Sequence, residues 1–142
     1  MANKFENIRK ALMTPMSGLL PGVDIAWPND EYKPVVGTPY AKLFLLPNQP
    51  SSVTNGQDGY DVHTGVFQVS LFYPKSKTDF PSIRAADTIE SAYQQYVRGS
   101  YLSSGGVSVR ITSVGIGTAS ADEAWYFVPI NINYESYIKG VI

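Results

Sequence analysis

Two runs of alternating side chains constrain this chain more than anything else in it. Over residues 65–73, Phe67, Val69, Leu71 and Tyr73 fall on one face and Gln68 and Ser70 on the other; over residues 124–134, Tyr126, Val128, Ile130, Ile132 and Tyr134 share a face. A period of two marks a strand with one buried side, because successive side chains of a strand point to opposite faces. Residues 107–114 repeat the pattern, with Val107, Val109 and Ile111 set against Ser108, Arg110 and Thr112. Residues 40–46 read as a further strand, and residues 23–27 leave a Gly/Pro turn at 17–22. Pro129 interrupts the last run and brings no N–H donor, which places that strand at a sheet edge or bulged at that point.

Two segments carry the helical period instead. Asn3 and Glu6 stand at capping-box spacing, and Phe5, Ile8 and Leu12 then recur at helical steps, so a short amphipathic helix is expected to end by Pro15. Asp79 and Pro81 open a second helix, with Ile83, Ala86, Ile89, Tyr93, Tyr96 and Val97 on one side and Arg98 and Gly99 closing it. The order predicts an α+β or mixed α/β fold, an antiparallel or mixed sheet of about five strands with two helices packed on it. No repeat, low-complexity tract or linker divides it, so residues 1–142 read as a single domain.

Composition limits the function classes. The chain has no cysteine, which removes disulfide staples and thiolate metal sites and fits folding in a reducing cytoplasm. No stretch reaches the roughly 18–20 apolar residues that cross a bilayer, and the first residues lack the basic and apolar regions of a signal peptide, so a soluble protein with no membrane association is expected. The net charge of −1 comes without a Lys/Arg cluster, so a phosphate-backbone contact is not expected. Charged residues make up only 16% of the chain, below the usual quarter or so, and Tyr is the commonest aromatic. Tyrosines suit protein interfaces and pleated strand surfaces alike.

Reactive constellations are missing. The single His63 has no evident nucleophile beside it and reads as a partly exposed edge histidine. Asp30–Glu31 and Asp122–Glu123 are neighbours, which on a strand point apart, and both pairs read as turn residues. Gly115-Ile116-Gly117 begins like a dinucleotide fingerprint, but the third glycine is absent and a strand follows, so a twisted strand end or bulge is expected. Gly105-Gly106 reads as a turn before a strand. No catalytic, metal or cofactor residue is assigned, and the chain is expected not to be an enzyme.

An ordered set of segments runs over most of the chain: Phe5-Glu6-Asn7-Ile8-Arg9-Lys10-Ala11-Leu12; Trp27-Pro28-Asn29 with Tyr32 and Pro34; Gly65-Val66-Phe67-Gln68-Val69 to Tyr73-Pro74; Ala85-Ala86-Asp87-Thr88-Ile89 to Arg98-Gly99; and Trp125-Tyr126-Phe127-Val128-Pro129-Ile130. In this set the chain resembles the tail terminator (tail-completion) proteins of long-tailed phages. The resemblance implies a virion protein made in the host bacterial cytoplasm and placed in the tail. It would be a protomer of a ring, typically hexameric, that binds the last ring of tail-tube protein, stops polymerisation and offers a face to the head connector, while DNA passes through the lumen without specific binding. A neighbouring head-completion role, or a small ligand-binding domain, stays open beside it.

Two segments are expected to make the contacts, because extended loops on a rigid sheet commonly do. One is the Pro-bounded turn with Trp27, Asn29 and Tyr32. The other is the polar connection over residues 47–60, with Asn55, Gln57, Asp58 and Tyr60. Trp27 reads alternatively as a core residue, and Asn29 as the residue whose side-chain oxygen accepts a backbone N–H in a local Asx turn.

Overall fold

The computed structural model describes residues 4–28, 31–49, 51–52, 60–75, 80–97, 99–121 and 124–139. The first helix, α1 (Lys4–Met13), buries Ile8, Ala11 and Leu12. Its exposed side carries a Glu6–Lys10 pair one turn apart at 3.5 Å, which adds only about 0.3–0.5 kcal/mol. Pro15 ends it as expected: Thr14–Met16 tightens into a 3-10 turn whose Met16 is buried. Asn3, the expected cap, lies outside the described residues.

Strands β1 (Asp24–Ala26), β2 (Tyr40–Pro47), β3 (Ser51–Ser52) and β4 (Tyr60–Pro74) follow, then α2 (Phe80–Gln94) with a 3-10 turn at Gln95–Val97. The chain closes with β5 (Leu102–Ser104), β6 (Val107–Ile116), β7 (Ser120–Ala121) and β8 (Trp125–Lys139). The class is α+β with two helices among the described residues, as expected, but the sheet is larger than about five strands. Its eight strands follow the path β1-β2-β4-β8-β6-β5, with β3 alongside β4 and β7 alongside β8. All pairings are antiparallel except β1 with β2. The extra strands are two or three residues long, too short to leave a periodic signal.

The spine is the β4–β8 pair, 15 residues each, aligned from Tyr60 opposite Lys139 to Pro74 opposite Trp125. The alternation read from the sequence holds here: Phe67, Val69, Leu71, Val128, Ile130, Ile132 and Tyr134 are buried. Both helices pack on this face, since Leu12 of α1 and Ile89 and Tyr93 of α2 belong to the same continuous core. The Tyr93 hydroxyl donates to the Leu12 carbonyl, tying α2 to the end of α1.

Four expectations need correction. The last strand is not an edge strand: β8 sits between β4 and β6. Pro129 is tolerated there because β6 pairs no further than Ile116 with Ile130, β7 starts only at Ser120 opposite Phe127, and the Pro129 carbonyl accepts from the Gly117 N–H at 2.8 Å. Its missing donor thus faces the gap between the end of β6 and the start of β7, so what is lost is the one return bond to Gly117 and none inside either strand's ladder. The bulge lies in β6 instead, between Ile111 and Ser113.

His63 is not a partly exposed edge residue; it is 3% exposed within β4. The expected strand at 65–73 starts five residues earlier, at Tyr60, and that extension draws His63 under Phe5 of α1, whose ring meets it edge-on at 5.4 Å. Ile83 is not on the packed side of α2 but 41% exposed, and Ser82, Ala85, Ala86, Ile89 and Tyr93 form the buried stripe. The polar connection 47–60 is not one loop, because Ser51–Ser52 pairs with Val62 and Asp61.

Two glycine sites are dictated by geometry. A Cβ on Gly65 would lie 2.6 Å from the Leu46 carbonyl oxygen and 2.7 Å from the Tyr134 hydroxyl, so only glycine fits between β2 and the core. Gly105 and Gly106, with φ of 56° and 84°, make the expected turn from β5 into β6.

Candidate interaction surface

The sheet face opposite the helices carries an aromatic ladder at one end. Tyr40 of β2 stacks on Phe72 of β4 at 4.7 Å and 8° between planes, and Phe72 meets Phe127 of β8 at 5.1 Å. Trp125 stands edge-on to Tyr40 at 5.1 Å, and the Lys42 ammonium lies 6.0 Å from the Phe72 ring centre. Aromatic contacts of this kind contribute about 0.5–1.5 kcal/mol each beyond area burial. These contacts stabilise the patch, on which neither helix packs.

Tyr32 extends the ladder from the segment after β1, 5.1 Å from Tyr40, and its hydroxyl donates to Asp24 Oδ2 at 3.0 Å. Desolvation first, then the Asp24 carboxylate, raises the Tyr32 phenol above its usual value, so it remains a neutral donor. Trp27 does not pack in the core; it is 36% exposed. With Arg9 of α1, Tyr32, Lys42, Phe44 and Leu46 it lines a groove of about 370 Å³ along β2. The groove continues past Arg9 and Glu6 of α1 toward Phe5 and Pro47.

The structure thus brings Trp27 and Tyr32 to one place, and it separates them from Tyr60. Tyr60 begins β4 opposite Lys139, twelve residues from the Phe72 that stacks on Tyr40, roughly 40 Å along an extended strand. Asn29, Asn55, Gln57 and Asp58 lie outside the described residues, as do the acidic neighbours Asp30, Asp122 and Glu123. Sequence reasoning missed Phe44 and Leu46, which are 44% and 54% exposed. The run Leu43-Phe44-Leu45-Leu46 does not alternate, a pattern that normally means burial on both faces, so nothing in it announced an exposed side.

Reactive groups do not converge on the groove. His63 is buried elsewhere, with both ring nitrogens lacking a hydrogen-bond partner. Desolvation and then Lys4 lower its pKa from the usual value, against a smaller opposing effect of Asp61. Among the described residues, no three His, Asp or Glu side chains gather closely enough to hold a metal ion, and no helix is long and apolar enough to cross a membrane.

These features define an α+β scaffold whose distinguishing surfaces, among the described residues, are a sheet face with no helix on it and open sheet edges, not a pocket around reactive groups. A family model described as phage tail terminator protein matches residues 7–134, and the chain belongs to that family. A solved structure aligns with a TM-score of 0.73 over 91% of this chain and 92% of its own, at 24% identity, which establishes a shared fold. No curated protein matches.

Proposed function

We propose that this chain is a structural virion protein that caps the phage tail tube as a homo-oligomeric ring, a hexamer in the family's usual form. The ring stops tail polymerisation and offers its far face to the head connector, with DNA passing through the lumen. The observation that carries the reading is the family match over residues 7–134. The surface suits it: with charged residues at 16%, little electrostatic work opposes packing copies together, and no basic stripe would retain DNA in a channel. The reading includes no catalytic role and no cofactor, and it puts the protein in the virion tail after synthesis in the host cytoplasm. Trp27 and Tyr32 on the groove, Asn29, Asn55, Gln57 and Asp58 on the two connections, and Tyr60 at the start of β4 are its proposed contacts.

The test is electron microscopy of lysates from the parent phage with this gene inactivated. Overlong or unjoined tails beside DNA-filled heads are expected. Normal tails beside heads that leak or lack DNA would move the protein to the head side of the joint, and unaffected virions would end the structural reading.

A further inference from the structure

The sheet ends on two three-residue strands, and each covers only part of the strand it pairs with. β1 pairs with β2 at Tyr40, Ala41 and Lys42 and stops, since Pro28 soon follows with no N–H to donate. β5 pairs with β6 at Val107, Ser108 and Val109 and likewise stops. Among the described residues, no strand covers 43–47 of β2 or 110–116 of β6 on the outer side. Open edges are normally guarded by charges inside them. The uncovered half of β2 reads Leu-Phe-Leu-Leu-Pro, with no charge and with only Pro47, at its end, as a blocking residue.

The two edges complement one another. β2 and β6 are the next-to-last strands at opposite ends of the strand path and run in opposite senses, because three antiparallel pairings separate them. Copies related by rotation about an axis along the strands would therefore meet β2 to β6 in an antiparallel ladder. Beyond its bulge, β6 is regular again, pairing Ser113 with Asn133 through Ile116 with Ile130. Gly115 has open space where a side chain would stand, and Ile116 is 47% exposed. Setting Phe44 opposite Gly115 keeps both strands' faces in step: Leu46 then meets Ser113, Leu45 meets Val114, and Ile116 reaches the groove beside Trp27. An aromatic ring over an edge glycine is a favourable cross-strand pair.

We propose that the uncovered half of β6 in one copy of this chain adds as a strand to the uncovered half of β2 in the next. The contact is heterologous: each copy carries one edge of each kind, so pairing propagates head to tail and closes when the rotation does. The proposal deepens the ring reading and rests on it for the closure, not for the pairing.

The native chain has no cysteine, so engineered thiols report one contact only. Opposed residues of an antiparallel pair lie about 4.5–5.5 Å apart at Cα, within disulfide reach. Differently tagged Phe44→Cys and Gly115→Cys copies, mixed and oxidised, are expected to form mixed cross-linked dimers, and the double variant a ladder of larger covalent species. Leu46→Lys, on an already exposed side chain, should leave the folded circular dichroism spectrum unchanged and weaken association at least tenfold in sedimentation. Rings seen by microscopy without the Phe44–Gly115 cross-link overturn the edge pairing and leave the tail-cap reading standing. Cross-linking of Phe44→Cys to itself alone, or a monomer that never cross-links at high concentration, also overturns it. Cross-linked rings from a gene whose loss leaves tails normal would sink the tail-cap reading while the edge pairing held.

Discussion

His63 stays uncharged in the folded chain because burial removes the water its imidazolium would need and the Lys4 ammonium adds repulsion, with Asp61 only partly compensating. Its folded pKa lies below the unfolded value, so the unfolded chain takes up the proton first. This contribution to stability is complete above about pH 6.5 and is lost as pH falls from there toward the folded pKa. With both ring nitrogens unpaired, replacing the ring by an apolar one of similar size removes nothing that was satisfied. His63→Phe is expected to keep or raise the melting temperature at pH 7 and to flatten its fall between pH 7 and 5. An unchanged slope in thermal melts would show that other groups carry the acid response. Gly65 makes the opposite case: Gly65→Ala forces the Leu46 carbonyl or the Tyr134 hydroxyl to move, and a loss of about 1–3 kcal/mol is expected in urea unfolding.

Elements are held by what crosses between them. Tyr93 is fully buried in α2 and hydrogen-bonds the last turn of α1, so Tyr93→Phe, which keeps the packing but orphans the Leu12 carbonyl, is expected to cost about 1 kcal/mol. Tyr93→Ala adds a cavity and should cost about 3–5 kcal/mol; chemical denaturation of the two variants separates the contributions. The connection before β4 can be shortened only where it carries no strand pairing. Tyr60 already pairs with Lys139 and Asp61 with Ser52, so a deletion meant to spare the fold must stop short of Tyr60. Removing residues 55–58 is expected to leave folded, soluble protein while impairing assembly in gel filtration; insoluble protein would mean that the segment supports the fold instead.

At the scale of the whole molecule, the core that carries stability and the edges proposed for assembly are different surfaces. The core lies between the helices and one sheet face, while the aromatic ladder and the uncovered edges lie outside it. Assembly through the edges is therefore expected to slow amide exchange at 43–46 and 113–116 well before it changes exchange in the β4–β8 spine. Hydrogen exchange at low and high protein concentration measures this directly. Uniform slowing across the sheet would mean that association acts by tightening the fold, not by covering edges.

The sequence alone determined much of this protein, because hydrophobic periodicity is a local property. The period of two in 65–73 and 124–134 already specified which side chains of β4 and β8 meet the core, and the helical steps of Ile8 and Leu12 placed the face of α1. The resemblance to tail terminators was legible too, since it rests on an ordered set of segments. Only the tertiary structure could decide which strands sit beside each other. Pro129 reads as an edge marker until β6 and β7 are seen to stop on either side of it, and His63 reads as exposed until α1 lays Phe5 across it. Likewise the unbroken apolar run holding Phe44 and Leu46 reads as buried on both faces until both helices are seen to pack on the opposite face, with Leu43 and Leu45. In each case burial depends on a neighbour distant in the chain, and no local pattern records how far that neighbour extends.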